Sequence, residues 1–368
     1  MVRIANLISG IVVAASTSLL VPLGASAPGQ LTGSSRFQPG SGEVTARLTR
    51  RIDALLALFL SRGNVSPDSL IDSLIADNAR SELFRMESLL RLYRHKFPNL
   101  TQPLKQVKGA EDGLGEYLYA VESLNFASDK FRKENQARRP TAAQQSEQEK
   151  TLAGLEKKRT VARGVLAKWL ETSTLSVDLR SLRSQVGPRF RGWGTAKDTP
   201  FVKKELQQLL KQVRDGHYDF SKLEDGIHEF RRQLRWFPMT LDGLDGLLVV
   251  RDEPAGKCPV PALDALAGSA AAKNKYSNPA LRFPAAHPCA ISRCLLWEVS
   301  KTIRDLGRLK DDAQGSLAIE AALDEDLDVS SSTVASSEET ARATAIRNDL
   351  NSSHALDSLM AQISSCKS

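Results

Sequence analysis

The chain has 368 residues, 41% of them hydrophobic and 25% charged, and a formal net charge of +7. That length is enough for two domains of ordinary size and a sizeable core. No segment beyond the first 27 residues is apolar enough to cross a membrane, which excludes an integral membrane bundle.

The amino terminus comes first. Met1 and Arg3 precede an apolar run over 4–23 that closes on Ala25-Ser26-Ala27. A charged start, an apolar stretch and a small-x-small site predict a secretory signal peptide over 1–27. Pro28 is unfavourable for cleavage, so an uncleaved anchor is the alternative. The expected protein is therefore exported, periplasmic or secreted, with no membrane span once the leader is removed. About 340 residues remain after cleavage, and 28–43 read as a flexible Gly/Ser-rich segment.

Charge is unevenly spread. From Lys310 to the end the chain carries −7, so the stretch 28–309 carries +13. A basic body with an acidic tail points to a polyanion partner, or to a tail that folds back over the body.

Helical spacing dominates the chain beyond residue 43. Leu48, Ile52, Leu55, Leu56 and Phe59 predict a helix over 44–61. Ser66-Pro67-Asp68 is a cap with Pro at the first helical position, opening a short helix to about residue 76. Residues 79–96 form a basic helix stopped near Pro98, and 104–134 a longer one weakened by Gly109, Gly113 and Gly115. The polar stretch 136–148 reads as a linker between a first helical half, 44–135, and a second, 149–312. Amphipathic helices are expected over 149–170 and 201–214, the latter opened by Thr199-Pro200. Ser221-x-x-Glu224 predicts a capping box. Strand-like alternation is nearly absent apart from 247–250. A Pro- and Cys-rich loop spans 252–290, helix resumes over 291–309, and an acidic helical tail occupies 313–368. The expected fold class is all-α, two bundles of long antiparallel helices related by an internal duplication.

Four cysteines, Cys258, Cys289, Cys294 and Cys366, lie in the last third. In an exported chain an even number points to disulfides, and four allow three pairings. Cys366 would tether the carboxyl terminus to the loop. His287, Cys258, Cys289 and Cys294 would also make a tetrahedral metal set, but the spacing is irregular and the compartment oxidising, so no metal is expected.

The stretch after the capping box, IHEFRRQLRW over 227–236, carries the strongest functional signal. On a helix His228, Arg231 and Arg235 fall at i, i+3 and i+7 and share a face, which Arg232 widens. One imidazole and three guanidiniums repel one another unless an anion sits against them, and the planar guanidinium fork suits phosphate and carboxylate. The competing readings are a buried neutral imidazole for His228, and arginines paired with Glu224, Asp225 or Glu229. Elsewhere no Gly-rich phosphate loop, GxSxG or HExxH occurs, and nothing joins a nucleophile to a base. The chain is expected not to be an enzyme and to need no cofactor.

A similar order recurs twice. An Arg-rich helix precedes a helix with a Leu-Gly pair near acidic residues: Leu114-Gly115-Glu116 in the first half, Leu306-Gly307 before Asp311 in the second. With His228-x-x-Arg231-x-x-x-Arg235 and the run Leu306-Gly307-Arg308-Leu309-Lys310-Asp311, the chain resembles the conserved histidine α-helical domain family (CHAD) over about 44–312. The resemblance implies two helical bundles around a basic central cavity that binds inorganic polyphosphate. It carries over to His228, Arg231 and Arg235, with Arg232 as an extra. In the first half Glu82 stands where the family has its His, Arg85 matches the first Arg, and Leu89 stands where the second should be. Arg91 and Arg94 lie near but out of register. The Pro-rich insertion and the cysteines depart from the family pattern. The expected partner is thus a polyanion such as polyphosphate, held by His228, Arg231, Arg232 and Arg235 with Arg85, Arg91 and Arg94 facing them, and no specific nucleic acid. An envelope protein that binds a protein partner is the alternative.

Overall fold

Eleven helices and two short strands make up the described residues of a computed structural model, which are 43–60, 65–253, 257–279, 289–323 and 334–366. The expected signal peptide over 1–27 and nearly all of the Gly/Ser-rich segment lie outside them. The fold is all-α, as the periodicity predicts.

Helix α1 (Glu43–Leu60) and α2 (Pro67–Ala76) lead into α3 (Ala79–Arg94). Ser66 caps α2 by accepting a hydrogen bond from Ser69 N, as its sequence foretells. Helix α4 (Thr101–Ala137) runs unbroken through Gly109, Gly113 and Gly115, because neighbours pack on these positions: Trp169 on Gly109, Leu166 on Gly113 and Arg80 on Gly115.

The expected linker over 136–148 is mostly helical. Helix α5 (Ala142–Thr172) opens on a capping box in which Thr141 and Gln144 satisfy each other's backbone groups. Only residues 138–141 turn the chain, and Asn135 and Gln148 exchange side-chain hydrogen bonds of 3.0 and 3.2 Å across that turn. Polarity there marks the solvated tip of a helical hairpin.

Helix α6 (Leu175–Arg189), not among the expected helices, buries Leu175, Leu179, Leu182 and Val186, which recur at helical spacing. It is followed by α7 (Thr195–Asp215) and α8 (Glu229–Leu244). Strand β1 (Leu248–Arg251) then pairs in parallel with β2 (Cys289–Ser292), Leu248 facing Cys289. Helix α9 (Arg293–Leu323) crosses the expected boundary between second half and tail without interruption. Beyond it, α10 (Ser337–Ser352) and α11 (Ala355–Ser365) are also helical.

One core joins most of these helices. Leu48, Ile52 and Leu55 of α1 share one buried cluster with Leu83, Met86 and Leu90 of α3, Leu234 and Phe237 of α8, and Leu295, Ile303 and Leu306 of α9. Each such side chain contributes about 1.5–3 kcal/mol by leaving water. Inside that core a polar knot ties α1, α3 and α7. Arg47 donates to Tyr93 Oη at 2.9 Å and ion-pairs with Asp198, which also accepts from Tyr93 at 2.8 Å and Trp193 Nε1 at 3.2 Å. Arg47 and Asp198 are almost wholly buried. A buried charge is tolerated when paired and bonded in this way.

Two disulfides close the carboxyl-terminal third. Cys258 pairs with Cys294 (Cα–Cα 6.0 Å) and Cys289 with Cys366 (5.2 Å). The loop is thereby stapled to the first turn of α9, and α11 to the start of β2. These bonds are compatible with an oxidising compartment.

Candidate anion site

The basic motif does not begin as the sequence suggests. Ser221 caps no helix; its hydroxyl donates to Asp219 Oδ1 at 2.6 Å and its carbonyl accepts from Ala335 N at 2.8 Å. Glu224 is drawn instead towards α9, where it accepts from Gln314. The segment Leu223–His228 winds as one widened π-type turn, which sets His228 at the amino end of α8.

From there α8 buries Phe230, Leu234 and Phe237 and turns its basic face towards α9. Arg231 donates from Nε to the Ile303 carbonyl at 3.2 Å, and its guanidinium lies flat on Gly307. A Cβ at Gly307 would stand 2.9 Å from the Arg231 guanidinium, so this close approach requires glycine. Arg235 lies over the Phe84 ring of α3 at 4.3 Å, and its buried Nε has no hydrogen-bond partner. Lys310, one turn after Gly307, is 9% exposed and makes no ion pair among the described residues.

His228 completes the cluster. Its Nδ1 stands 3.3 Å from Glu224 Oε2, within ion-pair reach but not aligned for a hydrogen bond. Burial first, and then the charges of Lys310, Arg231, Arg235 and Arg232, push its pKa down to about 3. Burial likewise lowers Lys310, helped by Arg231 and Arg235, and lowers Arg235, helped by Arg231 and Arg80. Each basic group thus makes its neighbours' charge costlier, and Glu224 is the one carboxylate within ion-pair reach of His228 among the described residues.

The remaining expected residues are placed elsewhere. Arg232 is 47% exposed and pairs with Glu229 at the rim of the cluster, where its charge still acts on His228. Arg85 ion-pairs with Glu82 and Asp242, beside Arg51, and so fastens α1, α3 and α8 together. Arg91 pairs with Glu87 and covers the Trp236 ring at 4.7 Å. Arg91 and Arg94 line a separate cavity of about 290 Å³ between α3, α7 and α8, with Gln208, Gln212 and Gln233. The structure therefore brings together His228, Arg231 and Arg235, leaves Arg232 at their solvent-facing rim, and sets Arg85, Arg91 and Arg94 apart from them.

Two basic groups in or beside the cluster are not among the residues expected from the sequence. Lys310 follows Ile303 and Gly307 at helical spacing in the run that holds the second Leu-Gly pair, and that spacing is the available signal. Arg80, in the first turn of α3, lies over Phe84 at 5.2 Å beside Arg235. Motif register hides it, because it aligns Arg85 with Arg231. The side chains that would build a metal site, Cys258, Cys289 and Cys294, are all consumed in disulfides.

Comparison of the chain with protein-family models, with curated proteins and with solved structures finds no match. This cluster is therefore the ground on which a function rests.

Proposed function

We propose that this is an exported protein that binds a polyanion, inorganic polyphosphate or another phosphate-rich polymer, through His228, Arg231, Arg235 and Lys310. The observation that carries this reading is the set of basic groups gathered by α8 and α9, which outnumber the carboxylates acting on them, Glu224, Asp311 and Glu111. An uncompensated buried charge costs about 3–5 kcal/mol. A phosphate against Arg235 Nε, Lys310 and His228 would supply the missing counter-charge and acceptors. The resemblance to the conserved histidine α-helical domain family supports the same ligand class, and no step of covalent chemistry is implied.

The test is titration with medium-chain polyphosphate at two salt concentrations, beside the R231Q/R235Q variant. Binding that weakens with salt and is lost in the variant supports the reading. The competing reading, an envelope protein that binds a protein partner, draws on Val161 and Val165, exposed one turn apart on α5. A folded protein that ignores polyphosphate at low salt favours that alternative.

A further inference from the structure

The pose of Arg231 on Gly307 occurs a second time. Helices α3 and α8 each have 16 residues and carry their arginine in the first turn, at Arg80 and Arg231. Gly115 is the fifteenth residue of α4 and Gly307 the fifteenth of α9. A Cβ at Gly115 would stand 2.7 Å from the Arg80 guanidinium, against 2.9 Å for Gly307 and Arg231. The eleventh residues of the two long helices, Glu111 and Ile303, supply the acceptors. They differ in kind. Arg231 Nε donates to the backbone carbonyl of Ile303 at 3.2 Å, whereas Arg80 Nε donates to the carboxylate of Glu111 at 2.8 Å.

Glu111 is only 6% exposed, although long carboxylates are rarely buried without a task. Its charge satisfies Arg80 as a ligand oxyanion would. Arg80 and Arg235 both lie over Phe84, at 5.2 and 4.3 Å, so the two arginine positions adjoin through one ring. The groups facing Glu111 from neighbouring elements are Arg80, Glu87 and Arg235, with Lys108 on its own helix.

We propose that Arg80 and Gly115 form a second oxyanion subsite, in which the carboxylate of Glu111 stands in the place of a ligand phosphate. This rests on the reading of the Arg231 cluster as an anion site. In the native chain one short oxyanion is held on the α8–α9 side. Glu111 closes the α3–α4 side and limits how many phosphates of a polymer the protein grips.

The test uses the full mature chain and pyrophosphate at low salt, followed by calorimetry. Wild type is expected to bind one pyrophosphate. E111Q, and E111I with the residue that α9 carries at the same place, are expected to bind two and to hold tripolyphosphate roughly tenfold tighter. R80Q/E111Q should return to one. Variants shown folded by circular dichroism that keep wild-type stoichiometry and affinity overturn the proposal. The two readings fail separately. Wild type without binding, beside E111Q that binds once and loses it with R80Q, sinks the Arg231 site and leaves the subsite standing. Absence of binding in wild type, E111Q and E111I alike sinks both.

Discussion

Arg235 lies 4.3 Å above the centre of the Phe84 ring, and its buried Nε meets no acceptor. Aromatic contact supplies part of what a carboxylate would, about 0.5–2 kcal/mol, and leaves the guanidinium short of partners. That shortfall makes the residue a sensitive probe. R235M, which keeps the volume and removes the charge, should raise stability by about 1–3 kcal/mol, seen as a rise in Tm of several degrees. The same change should abolish salt-sensitive polyphosphate binding. A variant less stable than wild type would show that the charge is already compensated.

G307A separates fold from binding. Alanine is the better helix former by about 1 kcal/mol, and its methyl meets only the far end of the flexible Arg231 side chain. Thermal stability should therefore hold or rise slightly. Displacing the guanidinium should weaken binding about tenfold, as expected for one lost charge-assisted contact.

Acid should act on the free protein through His228. Its pKa falls from an ordinary value near 6.5 to about 3 on folding. Between those values the unfolded chain takes up the proton and the folded one does not. The contribution to stability is complete above about pH 6.5 and declines as pH falls towards 3, by up to about 1.4 kcal/mol per pH unit. H228N should flatten this part of the stability curve in denaturant titrations across pH 7 to 4.

A bound oxyanion should reverse that cost, since a negative charge beside His228 raises its pKa. Affinity for sulfate, whose own charge is constant over this range, should then increase as pH falls from 7 to 5. The increase should be missing from H228N. Equal pH dependence in both proteins would show that the imidazole does not face the ligand.

The knot around Asp198 is expected to be structural. D198N leaves the Arg47 charge buried and should cost about 3–5 kcal/mol. Any effect on polyphosphate affinity measured well below the lowered Tm should be small, because the hydrogen bonds of Asp198 run to Arg47, Tyr93 and Trp193 and not to the basic cluster.

The helices are largely legible in the sequence because apolar spacing survives in a single chain. Leu48, Ile52 and Leu55 read correctly as a buried stripe, and Ser66-Pro67 as a cap. Two signals mislead. The polar tip of the α4–α5 hairpin lacks apolar residues because it is solvated, and it is helical on both sides of residues 138–141. Ser221-x-x-Glu224 has capping-box letters, yet Gln314 of α9 competes for Glu224. In the candidate site, spacing on α8 correctly puts His228, Arg231 and Arg235 on one face. It is silent about which first-half arginine meets which glycine, since that depends on packing between α3 and α4. Register by letter favours Arg85, which ion-pairs with Glu82 and Asp242; contact with Gly115 selects Arg80.

The disulfides interleave along the chain: the first cysteine joins the third, and the second joins the fourth. A chain oxidised while it is made, amino terminus first, offers Cys258 to Cys289 before Cys294 arrives. Cys289 must then wait 77 residues for Cys366. Pairing in order of appearance would give a Cys258–Cys289 bond, which the Cys294 thiolate can attack to form Cys258–Cys294 and release the Cys289 thiol for later oxidation with Cys366. In an oxidising compartment, the bond that joins α11 to β2 would therefore be the last to close.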